Sequence, residues 1–295
     1  MKSWLQAARL PSLSYILIPL LLGQSLVYSQ THTIDLYSLS LVILFGISNQ
    51  LYIIFGNDYA DLEADKINTT FTIFSGGSRV LAEEKLKPSQ IKNACILFAV
   101  LSLSFSVLLS YETKSFLHIL LGVFAIFLLQ FYSYPPVKLS YRGGGEFLQM
   151  IGVGFVLPIF GYYANTNEFY QFPWELIPAL LLINFSSAIS TSLPDAPSDK
   201  LSNKNTAVVR FGDVHAKLII LITELIVLLY IFYLNFFLWN TKQIEFYFLI
   251  FPIIFSLIGW RGKPGQNALS IFVFFSILYS LSVQIYFIIF YLGYI

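Results

Sequence analysis

Residues 39–65 read LSLVILFGISNQLYIIFGNDYADLEAD, and this stretch decides the fold. From Leu39 to Gly56 there is no charged residue, and then Asp58, Asp61, Glu63 and Asp65 arrive together. A hydrocarbon core takes about 20 mostly apolar residues to span as a helix. Backbone groups in lipid must be satisfied internally, so helix is the default for such a run. The stretch therefore predicts a membrane helix that ends in a carboxylate-rich boundary.

Working outward, the pattern recurs. Apolar runs at 11–30, 39–56, 94–111, 116–132, 146–165, 173–193, 216–238, 244–260 and 268–292 predict about nine transmembrane helices around a central cavity, the fourth and eighth being short. The fold class expected is all-α and polytopic, a single transmembrane domain over 1–295. The whole composition agrees. Hydrophobic residues make up 57% and charged residues only 11%, whereas a soluble domain carries about 25% charged residues. A net charge of +1 gives no reason to expect a nucleic-acid partner. Cys95 is the single cysteine, so no intramolecular disulfide can form. The basic start Lys2–Arg9 has no small-x-small cleavage site after Leu20–Gly23, so the first run reads as a retained helix.

The basic residues test the helix count. With nine spans and the N-terminus inside, one side receives Lys2, Arg9, Lys66, Arg79, Lys85, Lys87, Lys92, Lys138, Arg142, Lys200, Lys204, Arg210, Lys217, Arg261 and Lys263, which are 15 of the 17 Lys and Arg residues. Lys114, Lys242 and the terminal Ile295 fall on the other side. The basic side is cytoplasmic by the positive-inside rule. Two long polar loops, 57–93 and 194–215, share that side and begin with carboxylates after the second and sixth helices. The echo suggests two pseudo-repeated four-helix halves, 11–132 and 146–260, plus a final helix.

If the second helix continues through 57–65, then Asn57, Asp61 and Asp65 stack at i, i+4 and i+8 on one face. Asp195 and Asp199 repeat the i, i+4 pair. Hard oxygen ligands suit Mg²⁺, which shares its shell with water and substrate phosphates. Two such faces opposed across a cavity could hold metal ions against a diphosphate, and a cation relieves the repulsion between carboxylates one turn apart. The competing reading is a set of solvated loop acids. Two stretches on one side, each closing an even-numbered helix, argue against it. Basic residues follow each motif: Arg79 in Ser75-Gly76-Gly77-Ser78-Arg79, then Lys204 and Arg210 before Gly212. Between them lie Tyr132-Ser133-Tyr134-Pro135-Pro136-Val137-Lys138 and Tyr141-Arg142. Arg and Lys neutralise phosphate oxygens, Arg in bidentate fashion. The plainer role, a positive-inside anchor, fits Lys85, Lys87, Lys92, Lys217, Arg261 and Lys263 better, because no motif surrounds them.

In order and spacing these motifs resemble the UbiA superfamily of intramembrane prenyltransferases, over nearly the whole chain. The resemblance implies a prenyl diphosphate substrate and two Mg²⁺ ions, with Mn²⁺ able to substitute. One ion would be held by Asn57, Asp61 and Asp65, the other by Asp195 and Asp199. It implies that Arg79, Lys138, Lys204 and Arg210 bind diphosphate and that Tyr132 lies near the reacting carbon. Gln50, Asp58 and Arg142 take acceptor-side or accessory places, and the isoprenoid tail leaves sideways into membrane lipid. Gly-Lys is frequent before the Thr in this family. Here Asn203 precedes Lys204, and Asn tolerates left-handed backbone angles. Within the superfamily, Gln50, Gly77-Ser78-Arg79 and 199–212 are similar to the 1,4-dihydroxy-2-naphthoate prenyltransferases of menaquinone synthesis. 4-Hydroxybenzoate, haem or chlorophyll precursors and glycerol phosphate are rival acceptors. The expected location is a prokaryotic cytoplasmic membrane, with the site facing the cytoplasm. A secondary transporter would place ionisable groups near the midplane, and here only Glu224 does so conspicuously. A CDP-alcohol phosphatidyltransferase would pair Asp directly with Gly and then Ala-Arg, a string this chain lacks.

Overall fold

The structure is a computed structural model that describes residues 2–241 and 244–294. Lys242 and Ile295, which the charge argument placed outside, are not among the described residues. All regular structure described is helical, apart from one isolated bridge between Thr72 and Ser75. In chain order the α-helices are α1 Lys2–Ala8, α2 Ser14–Thr31, α3 Leu36–Ala60, α4 Leu62–Ile67, α5 Pro88–Thr113, α6 Leu117–Ser133, α7 Leu139–Arg142, α8 Gly145–Ile151, α9 Leu157–Thr166, α10 Ile177–Ser192, α11 Ala196–Leu201, α12 Ala207–Phe211, α13 Asp213–Tyr233, α14 Ile250–Ser256 and α15 Asn267–Tyr291.

Among the described residues, seven stretches are long and apolar enough to cross a membrane: Lys2–Thr31, Leu36–Ala60, Pro88–Thr113, Gly145–Thr166, Trp174–Ser192, Asp213–Leu238 and Asn267–Tyr291. The expected fourth and eighth spans fall on two shorter apolar helices, Leu117–Ser133 and Glu245–Gly259, which are not among these seven. With 17 residues, Leu117–Ser133 reaches about 25 Å, near the lower limit for a span. The lateral surfaces are what lipid requires. On α5, Ile96, Leu97 and Val100 are each more than half exposed, as are Ile222 and Leu229 on α13. Contiguous apolar surface of this kind is not tolerated in water. The protein is an integral multi-pass membrane protein.

The chain divides into two compact units. The first comprises the chain through Ile67, Gly77–Leu139 and Phe155–Phe172. Its long helices approach closely at small residues, as membrane packing favours. A Cβ on Gly23 of α2 would stand 2.4 Å from the Pro158 carbonyl oxygen, and one on Gly161 of α9 would stand 2.3 Å from that of Leu20. The Gln24 amide, buried in this contact, donates to the Gly161 carbonyl and accepts from Asn165 at 2.7 Å. Asp35 caps α3 by accepting from the Tyr37 and Ser38 amides, and the bonds from Ser38 and Tyr37 hold its carboxyl below the usual range. At the other end of α3, Ala7 of α1 packs with Ile54, Phe55, Val80, Leu81 and Ile91.

The second unit comprises Asn68–Gly76, Ser140–Gly154 and the chain from Pro173 onward. Its core sets α10, α13 and α15 together. Glu224 lies fully buried there. Ser276 Oγ of α15 donates to its Oε1 at 2.6 Å, Ser186 Oγ of α10 at 3.4 Å, and the Tyr279 hydroxyl donates to its backbone carbonyl. The one conspicuous midplane acid thus joins three helices through hydroxyls.

Candidate functional site

In the first unit the acidic motif closes α3. The helix stops at Ala60, Asp61 takes φ −99° and ψ 9°, and α4 begins at Leu62. The expected continuous helix is therefore broken at one residue. The one-turn ladder nevertheless persists: the Asp61 amide donates to the Asn57 carbonyl at 2.9 Å, and the Asp65 amide to that of Asp61 at 2.8 Å. Asn57, Asp61 and Asp65 keep the i, i+4, i+8 spacing read from sequence. Asp61 is 4% exposed.

The turn at Gly77–Arg79 folds back on this ladder. Gly77 (φ +69°) leaves no room for a side chain, since a Cβ there would meet Asp65 Oδ2 at 2.1 Å. Arg79 also has positive φ, and its guanidinium donates to the Asp65 carbonyl. The Tyr132–Lys138 motif reaches the same end of α3. Ser133 Oγ donates to Asn57 Oδ1 at 3.2 Å and the Tyr134 hydroxyl to the Gly56 carbonyl at 2.7 Å. Lys138 follows in a left-handed conformation, its amide bonded to the Tyr134 carbonyl.

Asp58, one residue off the ladder, does something else. Its Oδ1 accepts from the Arg9 guanidinium and from the Ser78 amide, and its Oδ2 accepts from the Ser78 hydroxyl. Gln50 donates to the Ser12 carbonyl at 3.1 Å and hydroxyl at 2.9 Å. Both thus tie the N-terminal segment down. Arg9, Ser78, Ser133 and Tyr134 were not singled out from sequence. Ser78, Ser133 and Tyr134 stood inside motifs already quoted, but Arg9 carried only the signal of a basic N-terminus.

In the second unit Asp195 lies just past the end of α10, and the Asp199 amide donates to its carbonyl at 2.8 Å. Asp195 Oδ1 accepts from Asn68 Nδ2 and Oδ2 from the Gly76 amide, each at 2.8 Å. Thr70 Oγ1 donates to the Pro194 carbonyl, so the 68–76 loop is docked on this helix end. Burial pushes the Asp195 carboxyl above its usual range, against the bonds from Asn68, Gly76 and Ser75 that favour the charged form. Asp199 is 5% exposed and lies 3.8 Å from Lys204 Nζ, which stands over the Tyr141 ring. Asn203 takes φ 57°, so the turn before Lys204 survives without glycine. Thr206 caps α12 through the Val209 amide. Arg210 donates to the Arg142 carbonyl at 2.9 Å, and Gly143 (φ +87°) lies against its guanidinium. Glu146, unremarked in the sequence, accepts from the Ala207 amide at 2.7 Å. Tyr141-Arg142 and the 199–212 segment are thus assembled together.

Among the described residues, no three His, Cys, Asp or Glu side chains form a metal cluster by themselves. Each unit offers two carboxylates, with the Asn57 amide oxygen added in the first. That all-oxygen, incomplete set fits a hard cation completed by phosphate and water.

Residues 16–286 match the model of the UbiA prenyltransferase family. The chain is 25% identical over 219 residues, 72% of its length, to the 2-carboxy-1,4-naphthoquinone phytyltransferase of Synechocystis, and the match spans 66% of that relative. It is 25% identical over 228 residues to the 1,4-dihydroxy-2-naphthoate octaprenyltransferase of Escherichia coli, covering 73% of this chain and 70% of that one. Among solved structures, a UbiA homolog from Archaeoglobus fulgidus bound to DMAPP and Mg²⁺ superposes with a TM-score of 0.70 at 18% identity, covering 97% of this chain and 99% of that chain.

Proposed function

We propose that this chain, which belongs to the UbiA prenyltransferase family, transfers a polyprenyl group from a prenyl diphosphate to 1,4-dihydroxy-2-naphthoate within the membrane. The observation that carries the reading is the Asn57–Asp61–Asp65 ladder with the Gly77–Arg79 turn folded onto it. Mg²⁺ would be held by Asn57, Asp61 and Asp65 in one unit and by Asp195 and Asp199 in the other, with Mn²⁺ serving in its place. When bound, the metal draws charge from the diphosphate and makes it a leaving group. Arg79, Lys138, Lys204 and Arg210 bind phosphate oxygens, and the Tyr132 ring face steadies the cationic prenyl carbon. The prenyl C–O bond breaks with its electron pair leaving on the diphosphate, the ring carbon that bears the carboxylate bonds to the prenyl carbon, and the carboxylate leaves as CO₂.

The A. fulgidus homolog, with its bound DMAPP and Mg²⁺, supports the diphosphate and metal readings. The acceptor follows the Synechocystis and E. coli relatives, both named for a naphthalene-ring substrate. The test is incubation of purified protein with labelled prenyl diphosphates and a panel of acceptors, with and without Mg²⁺. The naphthoate is prenylated, and chelation abolishes the reaction. Asp61→Ala and Asp195→Ala each lower kcat by about a hundredfold, a barrier change of roughly 3 kcal/mol. Prenylation of 4-hydroxybenzoate or a glycerol phosphate instead would overturn the acceptor, and full activity after chelation would overturn the metal.

A further inference from the structure

We propose that Asp58 is a positioning residue that clamps the amino-terminal helix and the Gly77–Arg79 turn to the end of α3, so that Arg79 is delivered to the metal-binding ladder. The proposal rests on the diphosphate role assigned to Arg79 above. Asp58 is 2% exposed and both of its carboxylate oxygens are occupied. One partner, Arg9, comes from the segment just after α1. The other, Ser78, gives its amide and its hydroxyl, and it sits between the two residues whose conformation matters. Gly77 and Arg79 flank it, both at φ +69°, a region that an arginine rarely adopts unless neighbours hold it there. A free carboxylate one residue off the ligand face would add negative charge beside Asp61. Pairing with Arg9 balances that charge.

The N-terminal segment completes the clamp. Gln6 Nε2 donates to the Ser78 carbonyl at 2.8 Å, and Lys85 Nζ donates to Gln6 Oε1 at 2.9 Å. Ala7 packs with Val80 and Leu81, the two residues that follow Arg79. Ser78 is thereby held at its amide, hydroxyl and carbonyl. Arg79, with Ser78 before it and the apolar cluster after it, has its guanidinium on the Asp65 carbonyl. Replacing the Asp58 carboxylate by an amide removes the charge that pairs with Arg9 and turns one of the two acceptor oxygens into a donor, and it spares every ladder residue.

The experiment combines hydrogen exchange with a kinetic double-mutant cycle. Asp58→Asn, which is close to isosteric, and Arg9→Ala, which cuts the clamp from its partly exposed end, are purified in detergent with intact helix content. Amide exchange over 76–80 should accelerate at least tenfold in both, while exchange in α10 and α13 stays as in wild type. The KM for prenyl diphosphate should rise about tenfold with the acceptor KM unchanged. In an Arg79→Ala background, Asp58→Asn should add less than twofold. Unchanged exchange at 76–80 overturns the proposal, as does a full tenfold effect of Asp58→Asn without Arg79. If exchange accelerates but Arg79→Ala alone has wild-type kinetics, the clamp stands and the diphosphate role of Arg79 falls.

Discussion

At the scale of single residues, two glycines separate backbone strain from crowding at the site. Gly77 and Gly212 both have positive φ, but a Cβ on Gly77 would collide with the Asp65 carboxylate, whereas one on Gly212 would meet nothing within 4 Å. Each alanine bears the cost of a positive φ, about 1–3 kcal/mol. Only Gly77→Ala must also displace Asp65, which is proposed above to hold the metal. It is expected to lower kcat by at least tenfold and to raise the Mg²⁺ concentration needed for half-maximal rate, while Gly212→Ala costs stability and leaves the metal requirement alone. Equal metal titrations for the two variants would remove Asp65 from the metal site. The contrast also shows what the sequence could offer. Oxygen-bearing side chains at one-turn spacing are a local pattern, and the Asn57, Asp61, Asp65 ladder was legible. So was the turn at Asn203, from the tolerance of Asn for φ > 0. The partner of Asp58 was not, because Arg9 lies 49 residues away and a basic residue near the N-terminus already had a sufficient meaning as a topology anchor. Reading Gln50 as an acceptor-side group gave no hint of its bonds to Ser12, for the same reason.

At the scale of elements, Lys217 shows how a charge pattern can be right about composition and silent about structure. The sequence reads it as a cytoplasmic anchor. In the structure it is 2% exposed on α13, and its ammonium donates to the carbonyls of Trp260 (3.0 Å) and Gly262 (2.5 Å), with Asp213 3.9 Å away. These carbonyls lie just past the Leu257–Gly259 turn that ends the eighth apolar helix, where no further helix supplies donors. Lys217→Met keeps much of the stem volume but leaves both carbonyls without their donor. Hydrogen bonds to charged groups contribute about 1.5–3 kcal/mol each, so with two lost the stability in detergent should fall by at least about 3 kcal/mol, read as a thermal midpoint several degrees lower. Lys263→Met, at an exposed position on the same connection, should leave the midpoint unchanged. A midpoint for Lys217→Met equal to wild type would reduce it to the anchor the sequence suggested. The break between α3 and α4 was equally illegible. No Gly or Pro lies between Asn57 and Ile67 to announce it, and the i to i−4 bonds run on past Asp61 as though the helix were whole.

At the scale of the whole molecule, the two short apolar helices decide the topology. Among the described residues, seven helices are long enough to cross by length and composition, and Leu117–Ser133 and Glu245–Gly259 are shorter. If both short helices cross, 15 of the 17 basic residues share the side of the N-terminus. If neither crosses, the parity of every segment between them inverts. Lys114, Lys138, Arg142, Lys200, Lys204, Arg210 and Lys217 then fall outside, and the partition becomes 10 against 7. The positive-inside rule favours the first arrangement strongly. A 17-residue helix is within the usual range for a span, and the 3₁₀ turns flanking α14 lengthen the other, at about 2 Å per residue. We therefore predict that both acidic loops face the cytoplasm. Single cysteines at Ser89 and Ser202, in a Cys95→Ser background, separate the alternatives. Ser89 follows the second long helix and is cytoplasmic in either arrangement with the N-terminus inside. Ser202 is cytoplasmic only if Leu117–Ser133 crosses. Both thiols should resist an impermeant reagent added to intact cells and react once the membrane is opened. Labelling of Ser202→Cys alone from outside would show that the short helix does not cross.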